Sequence, residues 1–153
     1  MGRGRPSKII PEVSSETINA VKDIAKSYQK EKNICAFIPQ KRKSLFSRMQ
    51  VSTEQYEATG CIDYDREAVE RIHPEDRKVI KNYEEKMNNI WLLEHGVAAI
   101  TDDRTREIAE DTLLRGKRAE DMIKKYNIGR MTAFREKRRA FCCVAEFIEA
   151  HPE

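Results

Sequence analysis

The stretch that decides the fold lies at residues 118–141 and reads RAEDMIKKYNIGRMTAFREKRRAF. A helix–turn–helix unit needs a first helix that packs on the second, a tight turn that accepts a positive φ, and an apolar residue just after the turn. The apolar side of a first helix is supplied by Met122, Ile123 and Tyr126. Asn127 tolerates the left-handed conformation, and Ile128 follows it as the apolar plug. We therefore predict a helix–turn–helix at residues 119–140.

The second helix of this unit is predicted to run from Arg130 to about Ala150. Ala133 and Ala140 are small enough to let it approach the first helix closely, which fixes its inward side. The residues on or beside its outward side are then Arg130, Met131, Thr132, Arg135 and Arg138. Such a face fits the major groove of DNA, which is about 12 Å wide, and arginine reads guanine edges there through paired hydrogen bonds. We predict these five residues as base or near-base contacts to double-stranded DNA.

Charge is distributed unevenly along the chain, whose net charge is +3. Residues 115–139 carry ten basic and three acidic side chains, a net +7, whereas residues 54–111 carry eight basic and sixteen acidic ones, a net −8. The basic stretch needs a counter-charge, either from the acidic centre of the same chain or from an external polyanion. The residues predicted to contact DNA phosphates are Lys117, Arg118, Lys124, Lys125, Lys137 and Arg139.

Residues 128–141 resemble the recognition half of region four of sigma factors, and more closely the helix–turn–helix of ArpU-type phage regulators of late genes. The residues that match the ArpU-type pattern in place are Arg130, Thr132, Phe134, Arg135, Lys137, Arg138, Arg139 and Ala140. Residues 100–108 resemble the helix that such regulators place before the motif. The resemblance implies a sigma region-four-like helix–turn–helix, promoter binding and transcription activation by a phage or prophage protein.

Three residues depart from the ArpU-type pattern. Gly129 stands where the pattern has a serine cap, Ala133 where it has an aromatic residue or valine, and Glu136 where it has an apolar residue. Glu136 leaves two orientations of the second helix open, because rolling the helix to bury Phe134 would move the glutamate outward. The choice between them decides which side chains face the bases.

Residues 1–13 contain two prolines and two glycines and are predicted to form a flexible basic arm. Within it, the segment 2–6 reads GRGRP and resembles the core of an AT-hook. Arg3 and Arg5, each placed between small or cyclic residues, would lie in the narrow minor groove of A·T-rich DNA, where the negative potential is deepest. The alternative is a basic tail that adds affinity without sequence preference.

The remaining chain is predicted to be all-α, with an N-terminal helix and an irregular linker at residues 14–64 and a helical DNA-binding domain at residues 65–153. Ser14 or Ser15 caps a first helix that ends near Asn33. Short and long helices follow from Asp65 and from Pro74, and Thr101 is predicted to cap the helix after them.

Several classes of protein are excluded by what the sequence lacks. Its apolar runs fall far short of the ~20 residues that cross a bilayer, so no membrane role is expected. The four cysteines and three histidines have no metal-ligand spacing, which predicts neither metal nor disulfide and favours a reducing cytoplasm. Glycine-rich phosphate loops of the required spacing are also absent. We therefore expect no cofactor and no enzyme.

The sequence thus favours a DNA-binding transcriptional regulator, for which RNA polymerase and a second copy of the chain are further candidate partners. Two alternatives stay open. One is a packaging (terminase small-subunit-like) or assembly protein that uses the same motif to bind its site. The other is a structural helical protein whose basic helix packs against its own acidic centre, without DNA.

Overall fold

The structure, a computed structural model, describes residues 10–151. The predicted minor-groove arm, with Arg3 and Arg5, lies outside the described residues. Over the described range the chain forms helices and one isolated β-bridge, between Ser52 and Asp63, with no strand. The prediction of an all-α protein is therefore confirmed. The α-helices are α1 (Ser15–Lys41), α2 (Lys43–Arg48), α3 (Tyr56–Thr59), α4 (Arg66–Glu70), α5 (Pro74–Ala98), α6 (Asp103–Ala109), α7 (Ala119–Tyr126) and α8 (Arg130–Glu149).

The described residues divide into two compact units. One unit comprises residues 10–26 together with 95–151, and the other comprises residues 27–94. Helices α1 and α5 each contribute to both units. The domain boundaries predicted from the sequence stay a prediction.

Helix α1 extends eight residues beyond the end that the sequence predicts, reaching Lys41 instead of Asn33. Its buried residues explain the extension, because Val21, Tyr28 and Cys35 follow one another at intervals of seven residues, which is two helical turns. Pro39 lies in the last turn of α1, and a proline inside a helix tends to end it, which fits the end of α1 at Lys41. The prediction of an irregular linker at residues 34–64 is therefore wrong over residues 34–41, and α2 and α3 are further helices within residues 34–64.

The unit at residues 27–94 has a core in which Phe46 and Tyr83 make an edge-to-face contact with ring centroids 4.9 Å apart. Gly60 ends α3 with a φ of +75°, and a Cβ there would lie 2.6 Å from Cδ2 of Trp91. Glycine is needed at this position for both reasons, since other residues rarely adopt that conformation and none fits against the indole. Trp91 in turn donates from Nε1 to the carbonyl of Glu57 over 3.0 Å.

The unit at residues 10–26 and 95–151 packs α6 and α7 against α8. Ser14 caps α1 as predicted, since its Oγ accepts a hydrogen bond from the Thr17 N–H over 3.1 Å. Glu149, at the end of α8, also accepts from the Ser14 N–H at 3.1 Å and from Thr17 Oγ1 at 2.7 Å. These hydrogen bonds, that of Thr17 above all, lower the pKa of Glu149. The start of α1 is thereby held against the end of α8.

Two features of α6 differ from the prediction. Its cap is Asp102, not Thr101, because the Asp102 carboxylate accepts from the Thr105 N–H at 2.8 Å and from Thr105 Oγ1 at 2.7 Å. After Ala109 the chain widens into a π-helical turn at Glu110–Leu114, and Gly116, which follows its cap residue Arg115, has a φ of +69°. None of the helices within residues 10–151 is both long enough and apolar enough for a membrane span.

Candidate nucleic-acid interface

Helices α7 and α8 and the turn between them lie where the sequence predicts them. Helix α7 ends at Asn127, which has φ 53° and ψ 51° and donates its N–H to the Ile123 carbonyl. At the other end of α7, the Arg118 N–H donates to Asp121 Oδ2 over 2.9 Å, which satisfies one free donor of the helix start. The left-handed turn at Asn127 is therefore confirmed, and it sets the direction in which α8 leaves.

The orientation of α8 follows from the small side chains on its inward side. Ala133 and Ala140 are fully buried, as is Met122 of α7. Ile128 is half-buried. The packing of α7 on α8 predicted from these residues is thus present, with the alanines allowing the close approach.

The first nine residues of α8 carry an exposed strip on the side opposite the alanines. We call this strip the outer face of α8, and its members are Arg130, Met131, Phe134, Arg135 and Arg138. Met131 is 87% exposed and Phe134 is 51% exposed. The side chains of the three arginines make no hydrogen bond or ion pair with any other residue in the range 10–151. Three positive charges are therefore presented together and unpaired by the described chain.

Phe134 decides between the two orientations that the sequence leaves open. Helix α8 does not roll to bury it, and Glu136 is buried instead. Sequence reasoning did not assign Phe134 to the site, although its position four residues after Arg130 places it on the same side of the helix. Thr132, which was predicted as a near-base contact, is half-buried and lies at the flank of the outer face.

Arg139, which the sequence predicts as a DNA-phosphate contact, is buried. Its guanidinium Nη1 lies 2.6 Å from Glu136 Oε2, and the two side chains are only 7% and 10% exposed. The Arg139 Nε is also buried, with no hydrogen-bond partner among the described residues. Because a buried guanidinium cannot reach a DNA phosphate, the burial of Arg139 disagrees with its prediction as a phosphate contact.

The remaining predicted phosphate contacts differ in how free their charges are. Lys117, Arg118 and Lys124 are exposed, and Lys137 is half-buried with its ammonium 5.8 Å from the centroid of the Phe141 ring. Lys125 is exposed but is held by two carboxylates, at 2.7 Å from Asp111 Oδ2 and 3.2 Å from Glu107 Oε1.

Asp111 is the acidic residue that neutralises part of the basic stretch. Only 4% exposed, it accepts hydrogen bonds from Lys125 at 2.7 Å, Arg115 at 2.7 Å and Tyr126 at 3.2 Å. Burial by itself would raise the pKa of this carboxyl, but the hydrogen bonds from Lys125 and Arg115 outweigh it and the pKa lies below its ordinary value. Burial also raises the pKa of Tyr126 to about 12. The network joins the π-helical turn to the end of α7.

A groove of about 940 Å³ borders the outer face of α8. Its walls are the first half of α1, the segment before α7, and α8 itself. Phe134 and Arg138 belong both to the groove and to the outer face of α8, so the two surfaces are continuous. Lys22 and Lys26 of α1 line the opposite wall, and no pattern in the sequence had singled them out.

No protein-family model, curated protein or solved structure matches this chain. Within residues 10–151 there is also no group of histidine, cysteine and acidic side chains that would hold a metal ion. The site is therefore described by its own geometry, and the likeness to ArpU-type regulators stays a prediction.

Proposed function

We propose that the protein binds double-stranded DNA sequence-specifically, with α7, the turn and α8 acting as a helix–turn–helix. In this proposal the first half of α8 enters the major groove. The observation that supports it most strongly is the outer face of α8, where three arginines are unpaired within the described chain. Arginine side chains that the fold does not neutralise are suited to guanine edges and to phosphates.

The length of the outer face also fits this role. From Arg130 to Arg138 it spans eight residue steps, about 12 Å along the helix axis. Beyond Arg138 the same side of α8 is covered, since Cys142 is buried where it faces α1. A recognition helix uses its N-terminal residues to reach base edges. The proposal accordingly assigns base contacts to Arg130, Arg135 and Arg138, and an apolar contact with thymine methyl groups to Met131 and Phe134.

Phosphate contacts in this proposal come from exposed residues before and within α7. These are Lys117, Arg118 and Lys124, with Lys137 beside the outer face of α8. Lys125 contributes little, because Asp111 and Glu107 already balance its charge. Thr132 is assigned only a contact at the flank of the outer face of α8.

The biological role that we propose is regulation of transcription by a phage or prophage protein, in the cytoplasm and without enzymatic activity. It rests on the resemblance to ArpU-type regulators, which implies promoter binding. A purified protein with this role should protect a short site near a promoter and change transcription by RNA polymerase. Protection of a packaging site by a ring-sized oligomer would replace it with the packaging function.

The test of DNA binding is a titration of the full chain against its own upstream DNA and against a random duplex, between about 50 and 200 mM salt. We expect Arg135→Ala to weaken binding to the specific duplex by about 1–3 kcal/mol, the scale of a lost paired base contact, and to weaken random binding less. Arg48→Ala is the matched control, since Arg48 is an exposed arginine of the unit at residues 27–94. Absence of duplex binding by the unmodified protein at low salt would refute the proposal.

A further inference from the structure

The groove beside the outer face of α8 is strongly basic and partly aromatic. Six basic residues line it, two from each wall, and they are Lys22, Lys26, Lys117, Arg118, Lys137 and Arg138. Among the described residues that line the groove, Asp23 is the one acidic residue, and Phe134 and Phe141 are the two aromatic ones. A groove of about 940 Å³ whose lining has this excess of positive charge favours an anionic ligand.

The lysines of α1 are free to meet such an occupant. Lys22 and Lys26 are both exposed, and neither makes an ion pair or a side-chain hydrogen bond with another residue of the described range. Four residues apart, they lie about one helical turn, roughly 6 Å, from each other on the same side of α1. They form a short row of positive charge along the wall that faces α8.

The position of the groove identifies the anion. Arg138 and Phe134 belong to both surfaces. A duplex whose major groove holds the outer face of α8 would therefore bring its adjoining sugar–phosphate strand towards the groove. A strand bordering the major groove is a continuous line of negative charge, and basic residues on both walls would surround it. The phenylalanine rings would then pack against sugars.

We propose that this groove holds the sugar–phosphate backbone of one DNA strand, and that Lys22 and Lys26 of α1 are phosphate contacts. This inference rests on the proposed function, since it needs a duplex bound to the outer face of α8. It adds a second element, α1, to the major-groove interface that the sequence predicts at residues 117–139. The contribution is to affinity and to salt dependence, not to the choice of sequence.

The experiment compares the full chain with the double variant Lys22→Ala/Lys26→Ala on specific and random duplexes over about 50–200 mM salt. Loss of two phosphate contacts should reduce the slope of log affinity against log salt by about 1.8. The advantage of the unmodified protein over the variant should therefore shrink about twelvefold across that range, equally on both duplexes. The matched control is Lys30→Ala/Lys41→Ala, which removes two exposed lysines of the same helix that do not line the groove. Its slope should equal that of the unmodified protein.

Thermal melting of both variants verifies that each remains folded, as expected for exposed lysines. If the unmodified protein binds the duplex and the groove variant has the same slope as the control variant, the inference is overturned while the proposed function stands. A loss confined to the specific duplex also overturns it, because phosphate contacts do not depend on sequence. If the unmodified protein binds no duplex at all, the proposed function itself fails and the inference falls with it.

Discussion

Replacing Arg139 with alanine should destabilise the protein strongly and leave the DNA affinity of the folded molecules unchanged. The side chain is 7% exposed and its Nη1 lies 2.6 Å from Glu136 Oε2, itself 10% exposed. Removing the arginine leaves a buried carboxylate without its partner, which typically costs about 3–5 kcal/mol. At about 2–4 °C per kcal/mol for a chain of this size, the melting temperature should fall by roughly 6–20 °C.

The same structure predicts that replacing both members of the pair restores most of this loss. The pair itself adds little net stability, because both charges are taken out of water and the Arg139 Nε is left without a partner among the described residues. Glu136→Leu combined with Arg139→Met fills a similar volume with apolar groups. We expect this double variant to be as stable as the unmodified protein, or more stable by about 1–4 kcal/mol.

Thermal and urea unfolding of Arg139→Ala, of the double variant and of Arg138→Ala would measure these differences. Arg138 is the matched control, because it is the neighbouring arginine of α8 but is exposed and without an ion pair within residues 10–151. Its replacement should change stability by no more than about 0.5 kcal/mol. The reasoning would be refuted if the Arg139→Ala protein had the melting temperature of the unmodified protein and its DNA affinity depended less steeply on salt concentration. Arg139 would then be the phosphate contact that the sequence predicts.

Three further predictions concern other positions. Gly129→Ser should stabilise the protein by a few tenths of a kcal/mol in urea unfolding, because the N-cap of α8 has an extended backbone with open space at its Cβ; destabilisation would contradict the extended cap. Gly60→Ala should cost about 2 kcal/mol or more in the same assay, since its φ is +75° and the new Cβ would lie 2.6 Å from Trp91; a neutral effect would contradict that contact. Asp111→Asn should lower stability at pH 7 by about 1–3 kcal/mol. Because the pKa of folded Asp111 lies below its ordinary value, its contribution is present above about pH 4 and is lost as the pH falls through the folded pKa. The variant should therefore lose less stability on acidification than the unmodified protein, and identical acid profiles would count against the network.

The helices around Asn127 were predictable because every local signal there agrees. Apolar spacing in α7, a residue that tolerates the left-handed conformation, and small residues in α8 all indicate the same boundaries, and the structure has them. The end of α1 was not predictable by the same reading. Pro39 and the basic residues after it are typical of a linker, and the signal that contradicts them is one buried residue, Cys35, two turns after Tyr28.

The charged residues of the candidate site show where sequence reasoning ends. A lysine or arginine is expected to be exposed unless a partner is known, and the partner of Lys125 lies 14 residues earlier, in the π-helical turn. Arg139 has its partner only three residues away, but Glu136 is itself expected at the surface, so the burial of both was not apparent. Lys22 and Lys26 needed the tertiary structure, because their groove is assembled from both ends of the chain.

Of the two counter-charges that the sequence leaves as alternatives, carboxylates of the same chain supply one for part of the basic stretch. Asp111 and Glu107 from the acidic centre balance Arg115 and Lys125, and Glu136 balances Arg139 inside α8. Carboxylates are therefore present in this region, yet none described here forms an ion pair or hydrogen bond with the three arginines of the outer face of α8. Like charges placed together without partners repel one another and give the fold nothing in return. The proposed binding of DNA would supply these arginines with the counter-charge that the described fold does not give them.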